Sequence, residues 1–320
     1  LIKIFMLPEC SGVVNVVKTH FDGKELQFVV APEHADIAVS SNIHSLVKFA
    51  KEKCFSGHLL LWTNEPRWNS NTEKFVINGG YKIFIMNGFS GDIFVDPFHY
   101  LWVGKYKQID LLTEQEYDER YSDIYKELVC LASEHGDGKP FIINGVDCDL
   151  YTLRREIALY ANRINQCHIY GAGWPDGVIS DESECGRLKH NSWGSWEDKK
   201  LLLLQSGRFN LAFENTVYKN YITEKFWHPI MAKVLPVIYE GDSGISTVFP
   251  KGTFVNYCDF ESPEALMVFL SEMTKSEYVE RVNKTIEIYN SLMTDSTILK
   301  NSRLKMASNF VEKAKVIQND

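Results

Sequence analysis

The amino-acid sequence predicts an α/β protein made of two Rossmann-like, doubly wound domains facing a cleft. Three observations lead there. Short apolar runs recur along the chain, many of them bounded by Gly, Pro or Asn, as strands of a buried parallel sheet are. Between them lie amphipathic stretches of helical period. Near the middle, residues 133–140 form a polar Gly/Pro stretch after a helical pattern and before a fresh apolar run. At about 100–200 residues per domain, 320 residues make two.

In chain order the strands are expected at 1–7, 27–30, 37–39, 59–62 and 83–85, then at 141–143, 168–170, 209–213, 234–239 and 253–255. Helical periodicity covers 43–51, 115–133, 153–165, 262–270 and 278–292, and the last 20 residues read as a charged helix. The division is placed at 138/139, so that the second domain opens on the 141–143 strand. No G-x-G-x-x-G follows the first strand and no G-x-x-x-x-G-K-[ST] occurs, so neither a dinucleotide fingerprint nor a P-loop is present.

Composition narrows the function. Thirty-four Lys and Arg against 42 Asp and Glu give a charge of −8, with no basic run, which argues against nucleic acid and against docking on an anionic membrane by charge. The seven cysteines (Cys10, Cys54, Cys130, Cys148, Cys167, Cys185 and Cys258) are scattered without a C-x-x-C pair, which fits a reducing compartment. No run approaches 18 apolar residues, and the apolar N-terminus reads as a first strand and not as a cleavable signal. A cytoplasmic protein is expected, with peripheral membrane attachment not visible in this chain.

The chemistry concentrates in residues 209–227, Phe-Asn-Leu-Ala-Phe-Glu-Asn-Thr-Val-Tyr-Lys-Asn-Tyr-Ile-Thr-Glu-Lys-Phe-Trp. An apolar strand runs into a polar loop, and a helix begins near Thr223, which is placed to cap it. Lys225 then falls in the first turn, against the helix dipole, where its charge suits a phosphate; solvation of a surface lysine explains the same residue. The segment F-x-L-A-F-E-N-x(6)-I-T-E-K-x-W, followed by V-L-P-V-I-Y, resembles the signature of the α1,3-fucosyltransferases, glycosyltransferase family 10. Ile169-Tyr-Gly171, residues 251–260, Trp62-Thr-Asn-Glu-Pro-Arg67 and residues 86–95 resemble further family segments.

The resemblance implies a GT-B fold, with residues 1–138 binding the acceptor and 139–320 binding GDP-fucose, the last helices packing back on the N-terminal domain. It implies inverting transfer of L-fucose from GDP-β-L-fucose to a glycan hydroxyl, α1,3 to a GlcNAc- or Glc-containing acceptor. Another GDP-hexose as donor, or a non-catalytic nucleotide-sugar or glycan binder, are the alternatives. Such a transfer needs a base for the acceptor hydroxyl and cations for the departing diphosphate. By family position Glu65 is the base, with Glu73 or Asp92 as alternatives; Pro66 follows Glu65 directly where the family has Ser-Pro. Lys225 and Arg154 would hold the phosphates, Arg155 being the neighbour that could take the second role. Glu224 would accept ribose hydroxyls, and Asn215 and Tyr221 match donor-contacting positions. Glu214 reads as buried and hydrogen-bonded.

No cofactor is expected to be essential, stimulation by Mn²⁺ or Mg²⁺ being left open. Asp147-Cys148-Asp149 is a D-x-D that could hold such a metal, but it precedes a helix where Asp serves as a cap. The nine histidines show no H-E-x-x-H spacing. The Gly-rich 171–177 stretch could line a nucleotide or simply turn the chain, and Trp68, Trp102 and Tyr100 could stack on acceptor sugars or pack in the core. Pro229, after His228, predicts a kink or restart of the helix that Thr223 opens.

Overall fold

The computed structural model describes residues 1–64, 74–103, 106–123, 126–134, 138–180 and 193–320; the side chains of 10–14, 102–103 and 193–197 are outside that description. The chain forms two compact units, Leu1–Lys105 with Ser296–Asp320, and Tyr106–Asp295. The division expected at 138/139 therefore shifts to 105/106, and the last helix returns to the first unit.

The first unit runs β1 (Ile2–Met6), α1 (Ser11–Phe21), β2 (Leu26–Val29), β3 (Ile37–Ser40), α2 (Ile43–Glu52), β4 (His58–Trp62), β5 (Phe75–Asn78), β6 (Tyr81–Met86) and α3 (His99–Val103). Its sheet has the order β2-β1-β3-β4-β6-β5, parallel except for β5. Helix α2 starts where Asn42 Oδ1 accepts from the His44 and Ser45 amides, and it buries Leu46 and Ala50 on the sheet beside Ala38, Leu59, Leu61 and Ile83.

The second unit runs α4 (Glu114–Tyr121), β7 (Leu128–Leu131), β8 (Ile142–Ile143), β9 (Val146–Asp147), α5 (Tyr151–Arg163), β10 (Cys167–Tyr170), α6 (Trp193–Leu204), β11 (Phe209–Leu211), α7 (Glu224–Met231), β12 (Leu235–Ile238), β13 (Val255–Asn256), α8 (Pro263–Glu272) and α9 (Lys275–Thr294). Five strands form an all-parallel sheet in the order β10-β7-β11-β12-β13. The expected helix over 115–133 is thus two elements: α4 stops at Tyr121, and the apolar run Leu128–Leu131 is a central strand. The expected opening strand at 141–143 is instead half of the antiparallel β8–β9 pair, turned by Asn144 and Gly145 at φ +50° and +81°.

Two devices tie the second unit together. Arg208, 8% exposed, donates to Glu127 (2.5 Å), Tyr117 Oη (3.1 Å) and the carbonyls of Met273 (3.0 Å) and Leu270 (3.2 Å). On α9, Asn283 and Asn290 each grip one residue of the extended chain before α4: both amide groups of Leu112 (2.7 and 2.9 Å) and of Ile109 (3.0 and 2.7 Å).

Helix α10 (Ser296–Gln318) completes the first unit. Phe310 packs on the Trp62 ring at 5.1 Å, Ser302 donates to Asp96 (2.8 Å), and Lys313 pairs with Asp92 (3.2 Å). Of the last three helices only α10 belongs to the first unit; α8 and α9 belong to the second. No described helix is long and apolar enough to cross a membrane.

Candidate functional site

In the second sheet β7 lies between β10 and β11, so successive strands leave it in opposite directions. That is the switch point at which doubly wound sheets open a crevice beyond the carboxyl ends of their strands. A recess sits there, lined by Leu131 at the end of β7 and Ala132 after it, by Asn210–Phe213 of β11 and its extension, and by Arg154, Lys200, Lys225 and Pro229. Three cations from three helices line it.

Arg154 is placed by local chain pairing. Asp149 Oδ2 accepts from the Thr152 amide (3.0 Å) at the start of α5, while Leu150 and Val217 amides bond Asn215 (3.3 Å) and Cys148 (3.0 Å) carbonyls. The arginine, 2% exposed, then donates from Nη1 to the Phe213 carbonyl (3.1 Å) and to Asn215 Oδ1 (3.2 Å), with its guanidinium carbon 4.9 Å from the Tyr151 ring centroid. Arg155 points elsewhere, half exposed and 4.0 Å from Glu134. Of the two arginines, Arg154 enters the recess.

Lys225 is placed by the start of α7. Thr223 Oγ1 accepts from the Lys225 amide (3.3 Å), the expected cap, and Glu214 accepts from the Thr223 amide (2.7 Å) and hydroxyl (2.8 Å). The Lys225 ammonium lies 3.3 Å from Glu224 and 3.5 Å from Glu214. The helix does not break at Pro229; it runs from Glu224 to Met231 as one short segment. Proline removes only the N–H that would bond the Lys225 carbonyl, and the helix ends two residues later, so little regular structure is left to disturb.

Lys200, on α6, completes the trio at 8% exposure, 3.8 Å from Glu224 Oε1. Sequence reading passed over it, because Lys199-Lys200 after Glu197-Asp198 looks like a solvated charge run. The usable signal was register: Lys200 and Leu204 are four apart on a helix, and both are buried.

The carboxylates around the lysines differ. Burial pushes Glu214 up to about 7, against the pull of Lys225 and the Thr223 hydrogen bonds. For Glu224 burial also acts upward, but Lys225 and Lys200 outweigh it and hold the carboxyl well below its ordinary value. His228 is pushed down to about 3 by burial and by Lys200 and Lys225, so it is neutral at physiological pH.

Arg154, Asn215, Glu224 and Lys225 are thus brought together. Tyr221, 1% exposed, lines an adjoining recess with Glu214, Thr216, Tyr239 and Ser243. Glu65, Glu73 and Trp68 lie outside the described residues, as does the Trp102 side chain. Asp92 is engaged by Lys313, and Tyr100 stacks on Phe94 at 6.3 Å. Asp147 accepts from the Phe141 (2.9 Å) and Asp149 (3.0 Å) amides, so both D-x-D carboxylates hold turns. In the glycine-rich stretch, a Cβ on Gly171 (φ +125°) would sit 2.3 Å from the Ala132 carbonyl oxygen, so glycine there is a packing requirement.

Residues 182–285 match the family described as Glycosyltransferase family 10 (fucosyltransferase) C-term, which bears out the resemblance read from residues 209–239. The matched segment contains Lys200, Asn215, Tyr221, Glu224 and Lys225; Arg154 and Glu65 precede it. Mouse alpha-(1,3)-fucosyltransferase 7 is 42% identical over 73 residues, 22% of this chain and 19% of that protein. Mouse 4-galactosyl-N-acetylglucosaminide 3-alpha-L-fucosyltransferase 9 is 33% identical over 81 residues, 25% of this chain and 23% of that protein. Drosophila melanogaster alpha-(1,3)-fucosyltransferase B is 38% identical over 80 residues, 24% and 17% of the two chains. This chain therefore spans about a fifth of the length of the curated relatives it matches. The crystal structure of an alpha1,3-fucosyltransferase aligns with 93% of this chain and 91% of its own, at 14% identity and a TM-score of 0.47. One with GDP-fucose aligns with 92% and 91%, at 13% identity and 0.46.

Proposed function

We propose that this protein is a glycosyltransferase that holds the diphosphate of a GDP-sugar at the switch point of its second sheet and transfers L-fucose from GDP-β-L-fucose to a glycan hydroxyl. The observation behind this is the convergence of Arg154, Lys200 and Lys225, all largely buried, on one recess, within or just ahead of the segment that matches the fucosyltransferase family. Buried cations facing a crevice suit an anion that enters and leaves.

The reaction is a single displacement with inversion. The acceptor oxygen bonds to C1 of the fucose as the bond from C1 to the β-phosphate oxygen breaks, and GDP departs with that electron pair. Arg154 and Lys225 stabilise the charge that builds on the leaving phosphate, where a preorganised donor is worth most. Glu65 takes the acceptor proton, Glu224 accepts ribose hydroxyls, and Asn215 holds Arg154 in line through their 3.2 Å hydrogen bond. Tyr221 contributes to the donor from the neighbouring recess. The acceptor is a GlcNAc- or Glc-containing glycan fucosylated at O3. The cations of this chain supply the leaving-group stabilisation, so no metal is required, and the enzyme works in the cytoplasm.

Calorimetric titration with GDP, GDP-fucose, GDP-mannose and UDP-GlcNAc, with and without Mn²⁺, tests the reading. GDP and GDP-fucose should bind without metal, and Lys225→Ala should lose roughly 10- to 100-fold in affinity. Glu65→Gln should keep GDP binding while turnover falls at least about 100-fold. Preference for GDP-mannose would change the donor sugar. Preference for UDP-GlcNAc, or strict dependence on Mn²⁺ through Asp147 and Asp149, would overturn the assignment. Retained turnover in Glu65→Gln would move the base elsewhere.

A further inference from the structure

Thr216 carries a buried hydroxyl that no described group bonds: the residue is 0% exposed and its Oγ1 has no hydrogen-bond partner. Buried hydroxyls are costly to leave unmet, so this one calls for a partner. The chain cannot shift to supply it. Thr216 pairs with Asp149 across an isolated antiparallel bridge, and the Leu150 and Val217 amides, bonded to the Asn215 (3.3 Å) and Cys148 (3.0 Å) carbonyls, fix the backbone on either side. Branching at Cβ stiffens the side chain as well.

Thr216 lines the recess that it shares with Glu214, Tyr221, Tyr239 and Ser243. Ala212, Glu214 and Thr216 reach this space as alternate residues of the chain leaving β11, while Asn215 between them bonds Arg154 (3.2 Å). The cavity measures about 20 Å³, room for one water molecule. A buried water makes about three hydrogen bonds, and three buried polar side chains are in place: Thr216, Glu214 at 9% exposure and Ser243 at 5%. Glu214 has capacity left, since its oxygens accept from the Thr223 amide and hydroxyl and a carboxylate offers about four lone-pair sites. Ser243 Oγ accepts from the Ile245 amide at 3.5 Å, which leaves its proton to give.

We propose that this cavity holds one ordered water, bonded to Thr216 Oγ1, the Glu214 carboxyl and Ser243 Oγ, and that Thr216 is thereby a positioning residue for Lys225. The water takes the protons of Thr216 and Ser243 and gives one of its own to Glu214. It joins the chain after β11, the turn after β12 and the start of α7 at one point, because Glu214 also holds Thr223 and lies 3.5 Å from the Lys225 ammonium. The positioning role rests on the donor reading above; the water does not.

A high-resolution crystal structure of the wild-type chain should show a water within hydrogen-bond distance of Thr216 Oγ1 and Glu214, with GDP-fucose or without it. Thr216→Val, which keeps the shape and deletes the hydroxyl, should lose that water. The sign of its effect on stability is diagnostic. Replacing a partnerless buried hydroxyl by a methyl is neutral or stabilising, whereas breaking a bonded one destabilises. Thr216→Val should therefore lower the urea midpoint by roughly 0.2–0.7 M. The positioning role is read from the pH dependence of GDP-fucose affinity. Glu214 is faced by Lys225 and Glu224 of α7 and by Tyr221 and Tyr239 across the cavity, with Lys200 and His228 acting on Glu224 behind. A water that donates to Glu214 favours its ionised form, so Thr216→Val should move the midpoint of the profile upward by about one unit, and Thr216→Ser should restore it.

No water at this position in the wild-type crystal overturns the site, as does its replacement by a group of the donor when GDP-fucose binds. A urea midpoint that stays or rises in Thr216→Val does the same. An unmoved pH midpoint in Thr216→Val, or an equal shift in Thr216→Ser, overturns the positioning role. Failure of the wild type to bind GDP-fucose overturns the donor reading and the positioning role with it, while the crystal and the urea midpoints still decide the water.

Discussion

On the proposed function, Glu214 sets how available Lys225 is to a phosphate. Burial pushes it up to about 7, and its Oε2 lies 3.5 Å from the Lys225 ammonium. Protonation near neutral pH removes the charge that competes with an incoming phosphate. Of the other groups facing Lys225, Glu224 is held ionised and His228 is pushed down to about 3, so neither titrates in that range. Affinity for a GDP-sugar, whose diphosphate has no group ionising there, should therefore rise about three- to tenfold as pH falls from about 8 to 6, and Glu214→Gln should flatten the profile. Stability follows the same sign. A carboxyl raised from 4.5 to about 7 favours the folded state most below 4.5, and that contribution is lost as pH rises through about 7. Urea midpoints of wild type and Glu214→Gln, compared across pH, check this; a parallel dependence in both would remove Glu214 from the account. At this scale the sequence was informative where spacing tied residues to a motif, as for Asn215, Glu224 and Lys225. Lys200 stayed hidden because its place in the recess depends on the rotation of α6, which a charged run does not reveal.

Among the elements, the strand β7 is the instructive one. Its residues, Leu128–Leu131, directly follow an amphipathic stretch, so the helical period of α4 could be extended through them without an obvious break. What makes them a strand is tertiary: β10 and β11 take up the hydrogen bonds on both sides. The consequence for the site is direct, because β7 is the strand at which the sheet changes direction. Gly171 and Gly173 keep the neighbouring chain close to its end. At both, φ is positive (+125° and +87°), and a Cβ would meet the carbonyl oxygens of Ala132 at 2.3 Å and Glu134 at 2.1 Å. Backbone on backbone leaves no side chain to swing away. Gly171→Ala should accordingly lower the stability of the second unit by about 2 kcal/mol or more and, on the proposed function, weaken GDP binding, since Ala132 lines the recess of Arg154, Lys200 and Lys225. Chemical denaturation followed by GDP titration checks both; a neutral substitution would show that the 132–134 backbone yields easily.

For the whole molecule, the chain passes between its two units twice, near residue 105 and near residue 295, and this shapes how the parts depend on each other. The sequence made two α/β halves legible because strand and helix patterns alternate along its length. It did not make the boundary legible, because a Gly/Pro stretch inside a domain reads the same as a linker. The return of α10 to the first unit was accessible only as what the family resemblance implies. That return means the first unit cannot be completed until the last residues are in place, so its stability depends on contacts such as Phe310 on Trp62. Phe310→Ala removes a fully buried ring and should cost the first unit about 3–5 kcal/mol. The second unit contains all three cations of the recess, so its GDP affinity should stay within about twofold of wild type. Scanning calorimetry with and without GDP separates the two effects: ligand should raise only the transition of the unit that binds it. In Phe310→Ala the transition that GDP leaves alone should move down. A matching fall in GDP affinity would show instead that α10 supports the recess, and that nucleotide binding belongs to the whole chain and not to one of its units.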